Sequence, residues 1–88
     1  MSAIDQLRES LAQLAPASLE IRDDSAKHAG HAGARSGGHF AVTIVSARFA
    51  GLSTMQRHRL VYDAVGDLMQ HGIHALSINA RTPEESRS

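Results

Sequence analysis

The stretch "HFAVTIVSARF", His39 to Phe49, decides the fold, because Phe40, Val42 and Ile44 fall on one side of an extended backbone and Thr43 on the other. Its β-branched content favours a half-buried strand. Upstream, "SLEIRD" (Ser18 to Asp23) alternates in the same way, with Leu19 and Ile21 opposed to Glu20 and Arg22. Between them lies "SAKHAGHAGARSGGHF", Ser25 to Phe40, with three histidines, four glycines and no apolar period, which reads as the loop of a long hairpin.

Working outward, Ile4, Leu7, Leu11 and Leu14 recur at spacings of three and four behind a Ser2/Asp5 capping signal and predict an amphipathic helix that stops before Pro16. Downstream, Ser53 with Gln56 is a second capping box. Leu60, Val61, Ala64, Val65, Leu68 and Met69 then mark the buried face of a long helix, closed by Gly72 at a C′ position. Gly66 falls inside that helix at a cost of about 1 kcal/mol, for which close packing against a neighbour is the expected reason. "IHALSINA" gives a third strand, in which His74, Leu76, Ile78 and Ala80 share parity. The order α-β-β-α-β predicts an α+β two-layer sandwich, a three-stranded sheet with helices on one face. The domain is expected over residues 1–82, with 83–88 a polar, disordered tail.

Eighty-eight residues form one domain with a modest core. The absence of cysteine removes disulfides, catalytic thiols and any zinc or iron-sulfur site built on the chain's own thiolates. No apolar run suits a signal peptide or a membrane span, so the expected location is the cytoplasm. Net charge is zero but unevenly spread: residues 25–62 hold Lys27, Arg35, Arg48, Arg57 and Arg59 with no acid, whereas both flanks are acidic. Such a segment either mixes back to neutrality in the fold or forms a positive face for an anionic partner.

Histidine is the only concentrated reactive residue type. His28 with His31 and His71 with His74 each form an HxxH, but two imidazoles fall short of a structural zinc site. A histidine in a glycine loop is ordinarily solvated, and His58, between two arginines, reads as polar surface; His39 opens a strand. His74 is either a hydrogen-bonded core histidine or a ring at the sheet's edge with one nitrogen open. No nucleophile elbow, paired-carboxylate cleft or Walker motif is present, so the chain is not read as an enzyme. "GHAG", Gly30 to Gly33, matches the GxxG of KH domains in form but lies between strands, where a KH loop joins helices.

"HFAVTIVSARFAG" (His39 to Gly51), "RHRLVYDAV" (Arg57 to Val65) and "IHALSINARTPEE" (Ile73 to Glu85) together resemble the BolA family, and Asp24-Ser25 followed by His28 is similar to the way that family's loop begins. The resemblance spans essentially the whole chain. It implies a class II KH-like fold with an extra helical turn near "GLST". It also implies a partnership with a monothiol glutaredoxin, in a heterodimer that shares a 2Fe-2S cluster with the glutaredoxin cysteine and glutathione. His74 would be one ligand and His28 or His31 the other. Two imidazoles on one iron replace two thiolates, as in Rieske centres, and must be neutral to ligate, so cluster affinity should fall below about pH 6 to 6.5. The chain alone is expected to hold no cofactor and to be a monomer or weak homodimer. The family's second implied role is that of a DNA-binding transcriptional regulator, for which Arg48, Arg57, His58 and Arg59 are the candidate phosphate contacts.

Overall fold

A computed structural model describes residues 3–24, 38–69 and 73–87. Helix α1 (Ala3–Leu11) buries Leu7 and Leu11 and tightens into a 3-10 turn over Ala12–Leu14. Ala15 ends it with a left-handed backbone, φ 48°, that lets its N–H return to the Ala12 carbonyl. Pro16 follows.

Strand β1 (Ser18–Asp23) pairs antiparallel with β2 (Gly38–Val45), in the register Leu19 opposite Ile44 and Ile21 opposite Val42. A 3-10 turn at Ala47–Phe49 leads into helix α2 (Thr54–Val65). The chain then makes a second such turn at Gly66–Met69 and lays down β3 (Ile73–Arg81) parallel to β2. The sheet order is β1-β2-β3, so the predicted α+β two-layer architecture is what forms. The core lies between the helices and one sheet face: Leu7, Leu11 and Leu14 meet Phe40, Val42, Ile44, Phe49, Val61, Val65 and Ile73. Phe49, 0% exposed, fills the corner where β2 hands over to α2, and its truncation to alanine would cost about 3–5 kcal/mol.

Three expectations are revised. Both halves of the capping box at Ser53 form, with the Gln56 N–H donating to Ser53 Oγ at 3.2 Å and the Ser53 N–H to Gln56 Oε1 at 2.9 Å. The helix it starts, however, is shorter than predicted: Gly66 stands at its C-terminus with φ 59° and ψ −128°. A Cβ at Gly66 would meet nothing within 4 Å, so glycine is required by backbone conformation and close packing plays no part. Gly72 lies outside the described residues.

The second revision concerns the chain end. Residues Pro83–Arg87 form a short helix, α3, where the sequence reading expects a disordered tail. Thr82 caps it: Thr82 Oγ1 accepts from the Glu85 N–H at 3.2 Å, and Glu85 Oε1 accepts from the Thr82 N–H at 2.9 Å.

The third concerns β3. Gly38 pairs with Ile73 but His39 pairs with Ala75, so His74 is the extra residue of a β-bulge. Ile73 is buried in the core, and so are the inner sides of Leu76, Ile78 and Ala80. The strand parity is reset between them, and the alternation from Leu76 onward does not carry back to His74.

Candidate functional site

One end of the sheet holds the strand ends that flank the histidine-bearing parts of the sequence. There β1 finishes at Asp23, β2 starts at Gly38 and β3 starts at Ile73. The Asp24 N–H donates to the His39 carbonyl at 2.7 Å, which closes the hairpin stem one residue before the histidine-bearing segment 25–37 begins. Antiparallel pairing returns that segment's far end to Gly38, next to Ile73 and beside the bulged residue His74. The chain thus leaves the sheet from β1, on the far side of β2, and re-enters it at Gly38, beside the strand that carries the residue sequence reasoning selects as a ligand.

Local charge is arranged around this stem. Arg22 Nε donates to Asp24 Oδ1 at 2.8 Å and Arg22 Nη2 to Asp24 Oδ2 at 3.1 Å, so the acid at the mouth of the segment is already matched by a cation. His39 is half-buried at the start of β2. His28, His31 and His71 lie outside the described residues, and the description of His74 is confined to its backbone. Among the described residues no group of three or more His, Asp and Glu side chains converges on a point where a metal could sit.

The second candidate surface divides. Arg57 is held by the protein itself: Nε donates to the Leu52 carbonyl at 2.9 Å, Nη1 to the Ala80 carbonyl at 3.1 Å and to Glu85 Oε1 at 2.6 Å, and Nη2 to Glu85 Oε2 at 3.1 Å. The guanidinium raises no free charge for a phosphate, and Arg57 drops out of the candidate nucleic-acid set. Conversely, the Arg57 hydrogen bonds and a backbone N–H from Thr82 pull the Glu85 carboxyl down to about 2. Arg48 and Arg59 are exposed and His58 is half-buried, so these three stay at or near the surface.

Sequence reasoning missed two residues that organise this region. Thr82-x-x-Glu85 is itself a capping-box pattern ahead of a helix, a readable signal that the polarity of the tail obscured. Ser46 left no such signal: it is fully buried, donates from Oγ to the Leu14 carbonyl at 2.6 Å and accepts from the Arg48 N–H at 3.1 Å.

A mixed sheet with its middle strand antiparallel to one neighbour and parallel to the other, covered by helices on one face, defines an α+β two-layer domain. The chain belongs to the BolA-like protein family, whose model matches residues 11–85. It is 46% identical over 87 residues to SufE-like protein 1, chloroplastic/mitochondrial, of Arabidopsis thaliana, covering 91% of this chain and 24% of that one. To BolA-like protein 1 of Mus musculus it is 45% identical over 82 residues, covering 92% and 58%. The solved BolA domain of SufE1 from Arabidopsis thaliana superposes with a TM-score of 0.83 at 45% identity, covering 97% of this chain and 96% of that one. A bacterial relative, named DNA-binding transcriptional regulator BolA in Vibrio cholerae, is 43% identical over 70 residues, covering 80% of this chain and 64% of its own length. The chain therefore spans from about a quarter to under two thirds of these curated relatives. Among the described residues no helix is long and apolar enough to cross a membrane, and the organelle names of the plant relative leave the cytoplasmic location an expectation.

Proposed function

We propose that this protein is a non-enzymatic adaptor that forms a heterodimer with a monothiol glutaredoxin and helps hold or transfer a 2Fe-2S cluster. His74 supplies one ligand and His28 or His31 the other. The observation that carries the reading is the bulge: it isolates residue 74 from the ladder at the very end of the sheet where the segment bearing His28 and His31 returns at Gly38. A chain without cysteine contributes imidazole only, and the remaining ligands come from the partner's thiolate and from glutathione.

The test is to reconstitute the protein with a monothiol glutaredoxin, iron, sulfide and glutathione and to record visible absorption and circular dichroism. A heterodimer is expected whose spectrum differs from that of the glutaredoxin alone. His74→Ala should return the spectrum to the glutaredoxin form, and an unchanged spectrum would remove His74 from the ligand set. His28→Ala and His31→Ala, made singly, decide between the two loop candidates.

A second reading, a DNA-binding transcriptional regulator, draws support from the name of the bacterial relative and from the exposure of Arg48 and Arg59. It predicts binding that weakens steeply with salt, because each neutralised phosphate releases counterions. Promoter fragments that bind with no salt dependence, or not at all, would exclude it.

A further inference from the structure

Helix α2 carries an apolar face on each side. One side buries Val61 and Val65, with Leu60 and Ala64 packed beside them. On the opposite side Met55, Arg59 and Tyr62, spaced i, i+4 and i+7, form a single stripe. Met55 is 72% exposed and Tyr62 41%, and these are the exposed large hydrophobics of the described residues. A solvated helix face ordinarily carries polar side chains at such positions.

The stripe is anchored at Tyr62 and carries one cation, Arg59, with Asp63 one turn further along the helix. The Tyr62 hydroxyl donates to the Leu76 carbonyl at 3.4 Å, which ties the ring to β3. Arg59 is exposed at the centre of the stripe, while Arg57, two residues away, is turned inward to Glu85. Asp63 is the only acid in α2. The partial positive charge at the N-terminus of α2 adds to the field.

We propose that the stripe Met55–Arg59–Tyr62 is a docking surface for an acidic amphipathic helix of a partner protein. Apolar side chains of that helix cover Met55 and Tyr62, and its carboxylates meet Arg59 and the start of α2. A second copy of the chain is disfavoured, because a two-fold pairing of the stripe sets Arg59 against Arg59. A nucleic-acid duplex is disfavoured too, because one arginine between two apolar groups is a poor match for a row of phosphates. The surface requires no cluster, so it stands apart from the function proposed above. It does run toward the same end of the molecule, since Leu76 lies two residues beyond His74.

The experiment is a titration of the full chain, followed by backbone amide shifts, with a synthetic helical peptide that bears leucine on one face and glutamate on its flanks. A control peptide carries lysine in place of glutamate. The acidic peptide is expected to shift residues 52–63 and the basic one to leave them unmoved. Arg59→Glu and Met55→Ser should each weaken the acidic peptide by about tenfold or more, and Arg59→Lys should recover most of the loss. Both changes are at exposed positions, and unchanged thermal melts verify that the fold is retained. Equal binding of the two peptides, shifts centred elsewhere, or indifference to Arg59→Glu would overturn the proposal. So would a dimer in sedimentation that Met55→Ser dissolves, or a DNA duplex or anionic vesicle that shifts the same residues more strongly than the peptide.

Discussion

The guanidinium of Arg57 and the carboxylate of Glu85, 28 residues apart, meet side by side at 2.6 and 3.1 Å and tie the start of α2 to α3. The same guanidinium takes the carbonyls of Leu52 and Ala80, so one side chain joins a loop, an edge strand and two helices. Arginine suits this role because its planar fork offers five donors in a fixed geometry.

The Glu85 carboxyl, ordinarily near 4.5, is drawn to about 2 in the folded protein. A carboxyl depressed on folding contributes stability above its unfolded value and loses it as pH falls through the folded one. Thermal melts of the wild type and Glu85→Gln should therefore differ most above pH 4.5, converge between about pH 4.5 and 2, and coincide below. A difference independent of pH would show that the Glu85 charge does not contribute to the stability of the fold.

Arginine positions on α2 should separate cleanly. Arg57→Ala should lower the melting temperature, because four donor contacts disappear and the Ala80 and Leu52 carbonyls lose their partner. Arg59→Ala and Arg48→Ala should stay within about 0.5 kcal/mol of the wild type, as surface substitutions usually do. Equal losses at Arg57 and Arg59 in urea unfolding would contradict the division of roles described for them.

Ser46 joins β2 to the end of the first helix through a buried hydrogen bond. Ser46→Ala strands the Leu14 carbonyl and should cost about 1–3 kcal/mol in chemical denaturation, with little change in the m-value. A cost below about 0.5 kcal/mol would mean that water reaches that carbonyl.

Backbone conformation makes opposite predictions at two small residues. Ala15 sits at φ 48°, a conformation that costs an L-residue about 1–2 kcal/mol, so Ala15→Gly should stabilise by roughly 0.5–1 kcal/mol. Gly66, at φ 59° and ψ −128°, has open space around it, yet Gly66→Ala should destabilise by about 1–3 kcal/mol. A neutral Gly66→Ala would show that α2 runs on through residue 66 in solution.

Much of this molecule follows from local pattern. Alternation in "HFAVTIV" and "SLEIRD" and the Ser53/Gln56 box are decided by residues within a few positions of one another, which is why the strands and the start of α2 were legible. The ligand candidates His74, His28 and His31 rest on a resemblance, and what the structure adds is the register shift that leaves residue 74 without a partner on β2. Arg57 read equally well as a phosphate contact, because its partner is fixed only by where α3 docks.

By itself, then, the sequence determined the element types, the two-layer arrangement and the family, since hydrophobic period and capping act over one or two turns. Only the tertiary structure decided the reset parity at His74, the ending of α2 at Gly66 and the inward turn of Arg57. Each of these depends on which distant backbone groups are left to be paired once β3 lies parallel to β2, a condition that no local window contains.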